Sequence, residues 1–265
     1  IRRQRQMCIR DRDYRVLNLA VNTFNENNTA YWHKSIGGYH AAKLRRYQEI
    51  IEEHIHGEMN SIFSKLSEAG GDMSKVERNA FPVLNMLNTR YFILPLQDGK
   101  TAPVFNPYAC GNAWFVGDVK YVDNANEEID ALHDINPLHT AVVDKKFAEQ
   151  VKMTAAPDSL SSIVLKEYQP NALKYEVDSK NGGVVVFSEI YYPGWISTID
   201  GEEVEHGRAD YILRAMNVPA GKHVIEFKFD PKSLHTTETI AYIALTLLAL
   251  GVIAVMISEY KKRKV

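Results

Sequence analysis

The feature that most constrains this chain is an uninterrupted apolar run close to its C-terminus. Residues 240–257 read IAYIALTLLALGVIAVMI, with no charged residue and no proline. As a helix this run would be roughly 27 Å long, close to the hydrocarbon core of about 30 Å. A segment that faces lipid must satisfy its backbone hydrogen bonds internally, so a helix is the expected structure. The run therefore predicts a transmembrane helix over residues 234–260.

The residues that follow the run predict its orientation. Residues 261–264 are all basic, and positive charge next to a span favours the cytoplasmic side. We therefore expect residues 261–265 to form a cytoplasmic tail and the preceding domain to lie outside the membrane. The alternative is the buried core helix of a soluble protein, although such a helix is seldom apolar on every face.

The first twelve residues call for separate treatment. Residues 1–12 read IRRQRQMCIRDR, show no periodicity and resemble translated adapter sequence, so we exclude them as non-native. They also contain no apolar segment of a signal peptide, and we therefore expect the chain to be the end of a longer polytopic protein.

Charge and cysteine content exclude some classes of partner. Residues 1–12 carry a net charge of +4, which leaves −6 for the rest of a chain whose total is −2. That acidic remainder argues against nucleic acid as a partner. Outside residues 1–12 the only cysteine is Cys110, so no internal disulfide is expected.

Local patterns divide the remaining chain into two regions and predict an α+β fold. Residues 13–156 mix strand and helix signals, among them an amphipathic helix over 41–56 with a break at Gly57 and a strand over 113–122. Residues 157–233 contain strand-like runs separated by Gly, Pro, Asn and Asp turns, which indicates an antiparallel β-sandwich. The runs cover residues 161–168, 172–177, 183–190, 195–199, 211–217 and 222–229. Asp200-Gly201 is the strongest hairpin signal.

No motif in the sequence predicts a catalytic residue, a metal site or a cofactor. There is no G-x-S-x-G elbow, H-E-x-x-H motif or glycine-rich phosphate loop. His54 and His56 are two positions apart, so their imidazoles would diverge on a helix, and a solvated helix end is the preferred interpretation. Adjacent acidic pairs, such as Glu127 and Glu128, should likewise point in different directions.

Two aromatic clusters are the candidate binding residues. Tyrosine, tryptophan and histidine offer stacking faces and hydrogen-bond donors, glycine permits close approach, and arginine can meet a phosphate or a carboxylate. The candidates are Tyr31, Trp32, His33, Gly37, Gly38, Tyr39, Arg45, Arg46, Tyr192 and Trp195. The alternative is structural: a tight turn whose aromatic rings pack on the next helix, and a sandwich end that is closed by rings.

Three blocks of sequence resemble one family of bacterial membrane proteins. The run SEIYYPGWISTIDGEEVEHGRADYILRAMNVPAGKHVIEFKFDP, residues 188–231, precedes the predicted span and resembles the C-terminal end of YfhO-family proteins. The upstream blocks NTAYWHKSIGGYHAAKLRRYQEIIE, from Asn28, and LNMLNTRYFI, from Leu84, are similar to the extracytoplasmic region of the same family.

The resemblance implies a polytopic protein of the bacterial cytoplasmic membrane that is similar to GT-C glycosyltransferases. Such enzymes transfer a sugar from a polyprenyl-phosphate carrier to an acceptor in the cell envelope. In that plan the catalytic acid lies between N-terminal membrane helices, which this chain lacks, so no catalytic residue can be carried over.

The resemblance also implies partners and a role. The expected partners are the lipid bilayer, the missing N-terminal membrane part of the same protein, and an envelope glycan or polyprenyl-phosphate sugar. The chain is then an extracytoplasmic accessory domain of a transferase. Two alternatives stay open. One is a non-enzymatic, membrane-anchored module for glycan binding or scaffolding, and the other is a self-contained hydrolase, which would require a convergent polar constellation.

Overall fold

The computed structural model describes residues 13–263 and confirms the α+β fold. The predictions made for residues 1–12, 264 and 265 lie outside the described residues. The strands are β1 (Arg15–Asn18), β2 (Thr89–Pro95), β3 (Thr101–Phe105), β4 (Ala113–Val116), β5 (Asp118–Val122), β6 (Thr140–Asp144), β7 (Ser162–Gln169), β8 (Ala172–Ser179), β9 (Gly183–Ile190), β10 (Trp195–Ile199), β11 (Glu202–Glu203), β12 (Gly207–Ala209), β13 (Leu213–Val218) and β14 (Gly221–Phe229). The α-helices are α1 (Asn28–Trp32), α2 (Arg45–Ile50), α3 (His56–Glu68), α4 (Pro82–Met86), α5 (Ala125–Asp130) and α6 (Lys232–Lys262).

The predicted antiparallel sandwich is present in the C-terminal half. One sheet has the strand order β11-β10-β14-β8-β7, and the facing sheet has the order β12-β13-β9-β4. Alternate side chains of both sheets meet between them, as the two-residue period of a strand requires. Tyr175, Phe187 and Phe227 form the centre of this core, with ring centroids 4.9 to 6.2 Å apart.

The four-stranded sheet is covered on both faces, so it forms the middle layer of the molecule. In β9, Val185 and Phe187 point into the sandwich, whereas Val184 and Val186 pack in the core of the first region. Every residue of β9 up to Ser188 is buried, as expected for a strand without a solvent face. The sandwich and the preceding region therefore pack on opposite sides of one sheet.

Strand β4 connects the two predicted regions. It lies at residues 113–116, well before the division predicted near residue 156, and it pairs antiparallel with β9. The expected single strand over 113–122 is wrong. The amides of Gly117 and Asp118 both donate to the His139 carbonyl, at 2.8 and 2.9 Å, and β5 then pairs in parallel with β6. The division into two domains stays a prediction.

The predicted helix over 41–56 is longer than expected and has no break at Gly57. It begins at Arg45, continues through a π-helical segment (Ile51–Ile55) and runs to the end of α3, with Gly57 inside α3. His54 lies on the buried face of this segment together with Ile51 and Ile55, so the solvated position predicted for His54 is wrong. His54 is buried against the His133 ring, with a centroid distance of 4.4 Å, and its Nε2 lies 2.9 Å from the Ile129 carbonyl oxygen.

Helix α6 contains the predicted span and has no buried residue. It is the one described helix that is long and apolar enough to cross a membrane, by length and composition. The alternative of a buried core helix is therefore wrong, because a core helix would pack against the rest of the domain. A large exposed apolar surface of this kind marks a membrane or protein contact.

Candidate functional site

A turn at the junction between the sandwich and helix α6 organises the candidate site. Residues 191–195, which we call the YYPGW turn, connect β9 to β10. The Gly194 carbonyl accepts a hydrogen bond of 2.8 Å from the Asp230 amide. Gly194 has a φ of +99°, and a Cβ there would lie 2.8 Å from the Pro231 Cβ. Glycine therefore allows this turn to lie directly against the residues that precede α6.

One side of the YYPGW turn faces the start of helix α2 across a cavity of about 300 Å³, which we call the arginine groove. It brings Arg45 and Arg46 together with Tyr192, which was a separate candidate in the sequence. Its walls are mostly apolar and its charged lining residues are all arginines. The lining consists of Leu44, Arg45, Arg46, Tyr47, Ile190, Tyr191, Tyr192, Pro193, Arg208 and Ile212.

A fully buried carboxylate, that of Glu128, contacts two of these arginines. Glu128 is 0 % exposed, and its Oε2 lies 2.6 Å from Arg208 Nη2 and 3.5 Å from Arg46 Nη1. Its Oε1 accepts the Tyr211 amide at 3.2 Å. A charge at this depth is tolerated because it is paired and hydrogen-bonded. Arg208 is thereby held in place, while Arg46 makes only long contacts and keeps 31 % of its side chain exposed.

Tyr211 forms the support under Arg46. The Arg46 guanidinium carbon lies 4.3 Å from the centre of the Tyr211 ring, which is within cation–π range. The Tyr211 hydroxyl donates to Glu49 Oε2 at 2.5 Å and lowers the pKa of that carboxyl. Burial, together with this hydrogen bond, raises the pKa of Tyr211 to about 12, so the phenol stays a neutral donor. The groove therefore presents cationic donors on an apolar surface, which suits an anionic group attached to a less polar ligand.

The YYPGW turn also borders a second cavity of about 280 Å³, the Arg214 pocket, which lies next to the arginine groove. It contains the predicted residue Trp195 and shares Tyr192 with the arginine groove. The Arg214 guanidinium carbon lies 3.9 Å from the centre of the Trp195 ring. The lining consists of Leu44, Asn171, Glu189, Ile190, Tyr192, Trp195, Arg214 and Phe229.

The N-terminal aromatic candidates lie in a different cavity. Tyr31, Trp32 and His33 line a cavity of about 710 Å³ together with Asp13, Tyr14, Ala30, Lys34 and Ser35. The Tyr31 and Trp32 rings are largely exposed and meet edge to face, with a centroid distance of 4.9 Å. Their binding role stays a prediction.

Gly37 and Gly38 have a packing function. A Cβ on Gly37 would lie 2.0 Å from the Thr23 carbonyl oxygen, and Gly38 donates to that same oxygen at 2.8 Å with a φ of +126°. The Tyr39 amide donates to Asn27 Oδ1 at 2.8 Å, and the Tyr39 ring is exposed. The two glycines therefore allow the chain to pass close to the loop before α1, and a ligand contact by Tyr39 stays a prediction.

The sequence-based candidates did not include three residues that line the two cavities, Arg208, Arg214 and Glu189. They also did not include Glu128, which pairs with Arg208. Arg208, Arg214, Glu128 and Glu189 have no motif around them. One signal was available, because Arg214 stands inside the strand-like run 211–217, where apolar residues are expected. An arginine inside a strand-like run is unusual enough to indicate a buried polar contact. Glu128 carried no comparable signal, although its direction does differ from that of its neighbour Glu127, which caps α5 from the surface.

A Ser–His contact also occurs next to the YYPGW turn, but its geometry does not fit a nucleophile. Ser197 Oγ lies 2.8 Å from His206 Nδ1 and donates to the Val204 carbonyl. Ser197 is only 1 % exposed, and its hydroxyl is already engaged by the Val204 carbonyl and by His206. Burial lowers the pKa of His206 to about 4. The pair therefore closes the hairpin between β10 and β11.

Among residues 13–263, no group of three or more histidine, cysteine or acidic side chains converges as metal ligands. The features that remain are a β-rich globular domain, a membrane-type helix at its end, and two arginine-containing cavities at the junction. They describe a globular domain that ends in a candidate membrane helix, with a candidate binding site at the junction.

Residues 147–241 match the family described as "Bacterial membrane protein YfhO". This segment contains β7 to β14, the YYPGW turn and the start of α6, so the resemblance seen in the sequence is confirmed for this part of the chain. Searches of curated proteins and of solved structures found no match to the chain.

Proposed function

We propose that this chain is an extracytoplasmic accessory region of a membrane protein that resembles GT-C glycosyltransferases. In this proposal the sugar comes from a polyprenyl-phosphate carrier, and the catalytic residues belong to membrane-embedded parts outside this chain. The region holds a glycan of the cell envelope beside the membrane. The same proposal places residues 13–233 outside the cytoplasmic membrane and the basic tail, residues 261–265, on its cytoplasmic side.

One observation carries this proposal. Arg46 and Tyr192 converge in a single groove although they are far apart in sequence, and the YYPGW turn that borders the groove packs directly on Pro231. From Lys232 to the apolar run that begins at Ile240 is about eight residues, or roughly 12 Å of helix. A ligand in the groove would therefore lie just above the lipid surface, where a lipid-linked sugar and its acceptor must meet.

The test is a set of variants in the full-length parent protein with an assay of envelope glycosylation. We expect Arg46→Met combined with Tyr192→Ala to lower glycosylation by about tenfold or more, because both contacts to the ligand are removed. Arg78→Met is the matched control. Arg78 also lies over a tyrosine ring, that of Tyr108, but neither residue lines the arginine groove. Wild-type glycosylation by the double variant at normal protein levels would refute the contact role.

The orientation has its own test. Single cysteines introduced at Ser159 and at Lys264, in a background with Cys8→Ser and Cys110→Ser, should be labelled by a membrane-impermeant maleimide in opposite ways. We expect labelling at position 159 in intact cells and labelling at position 264 only after permeabilisation. The reverse pattern would contradict the extracytoplasmic placement.

A second candidate function is a non-enzymatic glycan-binding or scaffolding module. The observation that favours it is the pair of exposed rings, Tyr31 and Trp32, at the 710 Å³ cavity. Solvent-exposed aromatic rings are common in binding surfaces. Glycan binding by the chain, in the absence of any transfer by the full-length parent, would favour this function.

A further inference from the structure

Arg214 differs from the other arginines of the site because it lacks a counter-charge. Only 2 % of the residue is exposed, and its Nε donates to the Ile190 carbonyl at 3.1 Å. Its Nη1 has no hydrogen-bond partner, and among residues 13–263 no acidic group forms a salt bridge with it. Arg208, which is buried to a similar extent, is paired with Glu128 at 2.6 Å.

The absence of a partner is energetically unusual. A buried cation is stable only when it is paired or hydrogen-bonded, because it has lost its hydration. Burial lowers the pKa of Arg214 to about 10, so the guanidinium is still charged at neutral pH. The rings of Trp195 and Phe227, at 3.9 and 5.2 Å from the guanidinium carbon, supply only part of the missing stabilisation. The fold has therefore kept a charge here that its own acids do not neutralise.

The acid with the strongest electrostatic effect on Arg214 is engaged elsewhere. Glu189 stabilises the charged guanidinium at long range, but its carboxylate lies 3.9 Å from Arg15 Nη2. A second buried polar atom without a partner, the Tyr175 hydroxyl, belongs to the same cluster and interacts electrostatically with both Glu189 and Arg214. Arg214 Nη1 and the Tyr175 hydroxyl therefore keep unused hydrogen-bond donors beside the Arg214 pocket.

The walls of the pocket are suited to a sugar ring. Tyr192, Trp195 and Phe229 provide aromatic faces, and the rings of Trp195 and Phe229 lie 5.4 Å apart. Asn171 and Glu189 add polar groups for hydroxyls. The volume of about 280 Å³ lies near the lower limit for a ligand site and suits a single small unit.

We propose that the Arg214 pocket binds one monosaccharide unit that carries a phosphate or a carboxylate group, with Arg214 as the contact for the anion. The aromatic walls hold the ring and the buried guanidinium selects the charge, since a neutral sugar would leave Arg214 unpaired. This inference rests on the proposed function, because it names the chemical class of the glycan that is held beside the membrane.

The experiment is a binding titration of the full chain in lipid nanodiscs. The probes are glucose 6-phosphate, glucuronate, glucose and inorganic phosphate, and ligand binding is followed by isothermal titration calorimetry. We expect glucose 6-phosphate and glucuronate to bind about tenfold or more tightly than glucose and inorganic phosphate. Equal binding of glucose, or binding of inorganic phosphate as tight as that of the sugar phosphate, would overturn the proposal.

Two variants test the role of Arg214. Arg214→Met should remove the preference for charged sugars, whereas the control Arg78→Met should keep it. Because a buried substitution can prevent folding, Asn171→Asp is the second variant. Asn171 is exposed and lines the pocket, and a carboxylate there should weaken binding of both anionic sugars about tenfold relative to binding of glucose. An unchanged preference in Asn171→Asp, or in a folded Arg214→Met, would refute the assignment.

The outcomes also separate this inference from the proposed function. Wild-type glycosylation by the Arg46→Met and Tyr192→Ala parent, together with charge-selective binding by the chain, would end the transferase role and leave the pocket standing. Loss of glycosylation in that parent, with no charge selectivity in the nanodisc titration, would retain the transferase role and end this inference.

Discussion

At the scale of single residues, the most unusual position is Asp210. It is fully buried, and it adopts a left-handed φ of +48°, next to Tyr211 at +70°. Its amide donates to the Val142 carbonyl at 2.7 Å, and its Oδ1 accepts the Val142 amide at 2.8 Å. These reciprocal bonds tie β6 to the segment that carries Tyr211 and so position the support under Arg46. Non-glycine residues hold such backbone angles only where the surrounding contacts enforce them.

We expect Asp210 to make stability depend on pH. Burial raises the pKa of Asp210 from 3.8 to about 7, and Oδ2 has no partner. The folded state therefore keeps a proton that the unfolded state has lost between these two pH values. The stability that Asp210 contributes is complete below the lower value and is lost as the pH rises to the upper one. Asp210→Asn, which resembles the protonated form, should therefore gain stability relative to the wild type as the pH rises.

Urea unfolding of the chain in detergent micelles at about pH 5 and about pH 8 measures this difference. Asp118→Asn on the exposed strand β5 is the control, and it should unfold like the wild type at both pH values. A constant difference between Asp210→Asn and the wild type would show that Asp210 is ionised in the folded state throughout.

At the scale of elements, two predicted glycine turns have different roles in the structure. Asp200 and Gly201 have φ of +53° and +89°, as predicted for a type I′ turn, and a Cβ on Gly201 would meet nothing within 4 Å. Gly194 has a similar φ of +99° but lies in contact with Pro231. The first turn only reverses the chain, whereas the second also packs the candidate site against the residue that precedes helix α6.

The substitutions Gly201→Ala and Gly194→Ala separate these roles. We expect Gly201→Ala to cost about 1 kcal/mol, from the backbone angle alone. Gly194→Ala should cost a further 1–3 kcal/mol or so, because the new methyl group overlaps Pro231. Thermal unfolding of the two variants gives the difference, and equal destabilisation would mean that the contact between the YYPGW turn and Pro231 is not formed.

At the scale of the whole molecule, the central sheet fixes the first region and the other sheet of the sandwich relative to each other. One face of the sheet packs on the first region, which carries Glu128 and Arg46, and the other face packs in the sandwich, which carries Trp195. Strand β13 contributes to both sides, with Leu213 in one core and Met216 in the other. The two cavities share Leu44, Ile190 and Tyr192, so they are neighbours beside this central sheet.

Helix α6 should determine whether this assembly stays at a membrane. Leu248 lies in the middle of the apolar run, and an arginine at the centre of a span costs about 2.5–3.5 kcal/mol on insertion scales. We expect Leu248→Arg to move a measurable part of the protein from the membrane pellet to the soluble or aggregated fraction. Leu160→Arg, in an exposed loop where the leucine is 85 % accessible, is the matched control and should fractionate like the wild type. Identical pellets for both variants would argue against α6 as the anchor.

The sequence by itself determined the features that depend on local chemistry. Six of the eight strands after residue 157 were predicted to within two residues, because alternation and Gly, Pro and Asp signals act within a few positions. The short strands β11 and β12 were not predicted. The span was predicted because its length and composition are visible without any partner. The candidates Arg45, Arg46, Tyr192 and Trp195 were named from their residue types alone, and their binding role stays a prediction.

Only the tertiary structure decided which of these residues meet and what they face. The pairing of Glu128 with Arg208 joins positions 80 apart in sequence, and no local pattern records such a distance. The break at Gly117, the burial of His54 and the burial of Arg214 all follow from which faces of the central sheet and the π-helical segment are covered. The physical reason is that a charge becomes costly, and therefore informative, only when neighbouring layers exclude water from it, and those layers come from distant parts of the chain.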